Sequence, residues 1–153
     1  MGNLPRKKRK QRHRARRLAG EAWEAAERSD WTEAEGLLRQ ALRANSGDPV
    51  LWNDLGIVLW KSGRLRDAEK ALENALLVRP GDEEAKMNLA SLLAARGFYR
   101  QALRLEEEMA TDTSGPRREF HEKRAAEWRE AAEQVSRERD GEEEEEEEEE
   151  EDR

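Results

Sequence analysis

Apolar positions between residues 51 and 76 recur three and four apart: Leu51, Leu55, Val58 and Leu59, then Leu65, Ala68, Leu72, Ala75 and Leu76. That spacing is the period of two amphipathic helices, and no stretch alternates as a half-buried strand would. The punctuation agrees with it. Asp48 is a suitable N-cap ahead of Pro49, Gly63 ends the first helix, and Arg79-Pro80-Gly81 stops the second. One helical hairpin therefore takes about 34 residues.

Sliding the chain by that length superposes "SDWTEAEGLLRQAL" (29–42) on "GRLRDAEKALENAL" (63–76) and on "GFYRQALRLEEEMA" (97–110). Ser29, Gly63 and Gly97 share a turn position, and Ala34, Ala68 and Ala102 share a position where two helices cross. A small side chain is needed there, because a larger one would hold the axes apart. The period predicts an all-α chain: a short helical-hairpin solenoid of about three repeats over 15–114, divided as 15–48, 49–82 and 83–114. Beyond "TDTSGP", Phe120, Arg124, Trp128, Ala131 and Val135 fall on one narrow stripe. It predicts a C-terminal helix over 115–139 that caps the last repeat, with a docking helix for a partner as the alternative.

Composition limits how much of the chain can pack. Charged residues make up 42% and hydrophobic ones 35%, which implies a thin layered core rather than a deep cofactor pocket. The net charge of −7 conceals an asymmetry, since residues 1–20 carry nine Lys or Arg and no acid, while 138–153 carry thirteen acids against two arginines. Runs of like charge repel themselves and bury nothing. The basic N-terminal arm (1–14) and the acidic Glu-rich tail (140–153, with ten consecutive glutamates at 142–151) are accordingly expected to be disordered.

The central repeat resembles the tetratricopeptide repeat. Trp52, Leu55, Gly56, Leu59, Ala68, Leu72, Ala75 and Pro80 fall at the eight spacings of that signature, with Leu for the aromatic at two of them. The flanking copies match it more loosely, as terminal units do. The resemblance implies a concave groove, lined by the first helix of each hairpin, that receives a peptide or a partner's helix. By offset, the groove positions are Ala19 and Trp23 in the first repeat, Val50, Asn53, Ile57, Trp60 and Lys61 in the second, and Glu84, Met87, Ser91 and Ala94 in the third. Trp23 and Trp60 are either interface anchors or packed against neighbouring structure; Trp52 and Trp31 are expected in the core. Some relatives clamp the C-terminal carboxylate of heat-shock chaperones with Asn, Lys and Arg. Here Trp23 and Asp54 stand at the Asn positions, with Glu84 and Asn88 at those of Lys and Arg, so an acidic ligand would be repelled.

Other chemistry is sparse. There is no cysteine, and His13 and His121 are the only histidines, both expected on the surface. No phosphate-binding glycine loop or nucleophile elbow occurs, and the carboxylates of "LEEEMA" read as solvent-facing. The chain is expected to be no enzyme, to need no cofactor or metal, and to lack an apolar run near the ~20 residues of a membrane span. Cytoplasmic residence is expected, or nuclear if the basic arm serves as an import signal. Two functions remain open. One is a protein-interaction scaffold. The other is nucleic-acid or ribosome association through Arg6, Lys7, Lys8, Arg9, Lys10, Arg12 and Arg14, modulated by the acidic tail; the arm has no aromatic residue to read bases.

Overall fold

A computed structural model describes the backbone of residues 5–151 and the side chains of residues 5–139. Helices follow in order: α1 (Arg6–Glu27), α2 (Trp31–Ala44), α3 (Pro49–Lys61), α4 (Leu65–Val78), α5 (Glu83–Ala95), α6 (Tyr99–Asp112) and α7 (Gly115–Glu151), with no strand among the described residues. They fall into two compact units that divide after Leu92.

The 34-residue period is visible in the backbone. Ser29, Gly63 and Gly97 have φ of 60°, 83° and 82°, the left-handed conformation. Around each, the same pair of hydrogen bonds closes the preceding helix. Ser29 N–H donates to Ala26 O and Asp30 N–H to Ala25 O; Gly63 and Arg64 donate to Trp60 and Leu59; Gly97 and Phe98 donate to Ala94 and Leu93. This is the Schellman arrangement, which satisfies the last carbonyls of a helix and turns the chain back on itself. Helix starts repeat as well. The Asp48 carboxylate accepts from Val50 N–H (3.1 Å), and that of Asp82, one period later, accepts from Ala85 N–H (3.1 Å).

In the first unit α1 packs on α2, α2 on α3, and α3 on α4. The crossing alanine Ala68 is fully buried, as is Ala34. Gly56 lets α3 approach α4: a Cβ built there would lie 2.7 Å from Leu72 Cγ and 2.8 Å from its Cδ2, and Leu72 is itself fully buried. Trp52, expected in the core, is half-buried instead, because its indole N–H donates to Ser46 O (2.9 Å) and pins the α2–α3 loop. Trp31 is half-buried too. Arg64 joins the α3–α4 turn to α2, its guanidinium bonded to both oxygens of Glu35 (3.0 and 2.8 Å) and to Asp67 (2.7 Å).

The second unit is built on α6 packed against α7. Here three expectations are corrected. His121, expected on the surface, is fully buried, with Nδ1 2.8 Å from Glu106 Oε2. Glu106, expected to face solvent within "LEEEMA", is fully buried as well, and Arg124 Nε lies 2.8 Å from its other oxygen. A buried charge survives only when it is paired, and these two partners supply the pairing. They also set the rotation of α7. Its buried face runs through His121, Ala125 and the half-buried Trp128 and Ala132, whereas Phe120 and Val135 of the expected stripe are exposed. Trp128 stacks on Tyr99 of α6, ring centroids 6.3 Å apart.

The charged ends also differ from expectation. From Arg6 onward the basic arm is helical, forming the first turns of α1, and burial begins only at Ala15. In the acidic tail α7 continues as helix through Glu151, past the expected limit at 139. Arg, Lys and Glu are good helix formers, and a helix can extend into solvent without burying a face. The expected disorder of residues 1–4, 152 and 153 lies outside the described residues.

Candidate functional site

Within the first unit, α1, α3 and α5 bring a polar cluster together. Asn53 is only 4% exposed. Its Nδ2 donates to Glu84 Oε1 (3.3 Å), and its Oδ1 accepts from Asn88 Nδ2 (2.9 Å). One buried carboxamide thus orients two side chains of α5.

Next to it on α3, Asp54 is 8% exposed. Its carboxyl pKa is pushed up to about 6, first by loss of water around the charge; a hydrogen bond from the Trp23 side chain opposes the rise, and the nearby Glu84 and Asp48 carboxylates add to it. Trp23, on α1, remains 40% exposed beside that carboxylate. An aromatic side chain next to incompletely solvated carboxylates is the chemistry that receives a cation: the carboxylates gain a counter-charge, and the ring offers a π face.

Of the residues expected to line the groove, Asn53 and Trp23 are thus part of this cluster. Val50 and Lys61 are exposed on α3, with Ile57 and Trp60 half-buried there; Met87 and Ser91 are half-buried on α5, and Ser91 Oγ donates to Met87 O (2.8 Å). Glu84, also expected at the groove, belongs to the cluster too, and the structure adds Asp54 and Asn88 as members. Their signal in the sequence was acid or amide at positions where the chaperone-binding pattern has other groups. The arm residues Arg6, Lys7, Lys8, Arg9, Lys10, Arg12 and Arg14 are all exposed on α1. Among the described residues no helix is long and apolar enough to cross a membrane.

Residues 25–92 match the tetratricopeptide repeat family model. Among curated proteins, the chain is 38% identical over 64 residues to the peroxisomal targeting signal receptor of Kluyveromyces lactis, a match covering 42% of this chain and 11% of the receptor. The chain thus spans a small part of that relative's length. Among solved structures it is similar to the Sgt2 TPR domain from Aspergillus fumigatus, with a TM-score of 0.68 and 20% identity over 80% of this chain and 82% of that one. It is also similar to the first TPR of Spaghetti bound to the HSP90 peptide SRMEEVD, with a TM-score of 0.66 and 16% identity over 82% and 95% of the two chains. At these identities the structural likeness is one of fold. The repeated left-handed turns, the buried crossing alanines and the family match all say the same thing: residues 25–92 are built of tetratricopeptide repeats.

Proposed function

We propose that this protein is a non-catalytic interaction scaffold. In this reading the groove over α1, α3 and α5 binds an extended peptide or partner helix, and the bound segment presents a basic side chain to Asp54 and Glu84. The observation that carries the reading is the buried Asp54 carboxylate with its pKa at about 6, set between Trp23 and the Asn53–Glu84–Asn88 network. A bound cation offsets the desolvation of that carboxylate, whereas a ligand carboxylate meets like charge. The similar Spaghetti domain holds an acidic peptide; the groove of this chain is built against one. The relationship to a targeting-signal receptor supports a peptide as the ligand. Residence in the cytoplasm, or in the nucleus if the basic head acts as an import signal, belongs to the same proposal.

The test is an array of random seven-residue peptides probed with the full chain, followed by calorimetry on the best binder and on SRMEEVD. Lys or Arg should be enriched in the binders, and Asp54→Asn should weaken the best one about ten-fold. Micromolar binding of SRMEEVD overturns the reading. Affinity for the basic peptide should fall as pH drops through about 6, because protonated Asp54 no longer attracts the cation.

A second reading rests on the exposed cations of Arg6 to Arg14, which lie on one continuous helix and are free to meet phosphates. Retention on heparin or RNA at ~0.1–0.2 M salt, lost when Lys8 and Arg12 are changed to Glu, would support nucleic-acid association.

A further inference from the structure

In the second unit, α6 and α7 line an open cleft of about 640 Å³. Its walls carry Arg100, Arg104 and Glu107 from α6, and Arg129, Glu133 and Arg137 from α7. Positions 129, 133 and 137 lie four apart and so share one face of α7. Four guanidiniums therefore oppose two carboxylates. Of these, Glu107 is already engaged by Arg129 (2.8 Å), and Arg137 Nε reaches only the backbone oxygen of Glu133 (3.4 Å). Arg100 donates to the Ser136 hydroxyl (3.0 Å), a neutral partner that leaves its charge uncompensated. Arg104 has no ion pair or hydrogen bond among the described residues.

A smaller depression of about 270 Å³ adjoins the cleft, shares Arg100, Ala132 and Ser136 with it, and has Phe98 and Val135 in its lining. These two are 44% and 49% exposed, large apolar side chains left at the surface beside a surplus of positive charge.

We propose that this cleft is a second docking site, separate from the groove, for an acidic segment of a partner protein that also carries an apolar side chain. Charge complementarity selects the acid. Arginine forks bind carboxylates in pairs, and Arg is enriched where interfaces concentrate their energy. The Phe98–Val135 depression then takes the neighbouring apolar residue. A polypeptide fits better than nucleic acid. Glu107 and Glu133 sit among the arginines and would oppose a continuous phosphate backbone. A peptide that places carboxylates at intervals avoids that conflict.

The test is fluorescence anisotropy of the full chain with the labelled peptide EELEEL at 0.1 M salt. Arg104→Glu should weaken binding about ten-fold, and Val135→Asp about three-fold; both residues are exposed, so circular dichroism should remain that of the parent. Arg104→Lys should retain part of the affinity. Unchanged binding by Arg104→Glu and by a second reversal, Arg137→Glu, overturns the proposal. So does loss of binding on changing Lys8 and Arg12 to Glu, which would assign the acidic probe to the basic head instead. Displacement of the peptide by a uridine oligonucleotide, itself abolished by Arg104→Glu, would make the cleft a nucleic-acid site. Self-association that disappears with Arg104→Glu in sedimentation would make the occupant a second copy; either result overturns the partner assignment.

Discussion

At the scale of single residues, Asp54 is where stability and binding pull apart. Its pKa is about 6 in the folded chain, above that of an unfolded carboxylate, so the fold holds its proton more tightly than the unfolded chain does. The stabilisation from that proton is full below the unfolded value near pH 4 and is lost as pH rises through about 6. At neutral pH the ionised side chain therefore costs the fold about 1–3 kcal/mol. Asp54→Asn should raise stability by that amount at pH 7 and by little at pH 4, while weakening the basic peptide. Thermal melts of parent and variant at the two pH values check this; an equal gain at both would show that the carboxylate charge is not the cause. A residue kept at a cost to the fold is the mark of a binding group. The Glu106–His121–Arg124 cluster is a different case. There the charges are paired to one another across α6 and α7, and together they determine which face of α7 is buried.

At the scale of elements, the repeat depends on how closely two helices approach. Gly56 lies where a methyl group would meet Leu72 at 2.7 Å, and Leu72 has no solvent to move into. Gly56→Ala gains up to about 1 kcal/mol of helix propensity, yet it should destabilise the first unit by about 1–3 kcal/mol net through overpacking. Chemical denaturation followed by tryptophan fluorescence measures this, and a stabilised variant would mean that α4 can shift without cost. The same elements show how far sequence reasoning reached. The helix breaks at Ser29, Gly63 and Gly97, the cap at Asp48 and the crossing alanines were legible because each is a local requirement: a left-handed residue, a short acceptor, a missing side chain. The buried face of α7 was not. Its stripe could be drawn through Phe120 and Val135 or through His121 and Ala125, and hydrophobicity favoured the former. The decision came from Glu106, a partner on another helix.

At the scale of the whole molecule, a head rich in arginine and lysine and a run of ten glutamates occupy opposite ends of one chain. Exposed charges attract across short distances in dilute salt and are screened beyond ~8–10 Å at physiological ionic strength. If the acidic run competes with external polyanions for the head or for the arginines of α6 and α7, deleting residues 142–153 should raise heparin retention in dilute buffer. Above a few tenths molar it should have little effect. Unchanged retention at low salt would show that the two ends act independently.

What the sequence by itself determined is the architecture: an all-helical chain, its 34-residue period, its turn residues, and the likeness to a repeat family that follows from them. These depend on neighbours within one hairpin, so the order of residues along the chain states them directly. Only the tertiary structure decided the chemistry. Trp23 meets Asp54 across α1 and α3, Asn53 bonds Glu84 and Asn88 a whole repeat away, and Glu106 draws His121 and Arg124 inward. Whether a charged side chain is solvated or buried depends on what the next helix places opposite it. No local pattern records that, because the energy belongs to the pair and not to either residue.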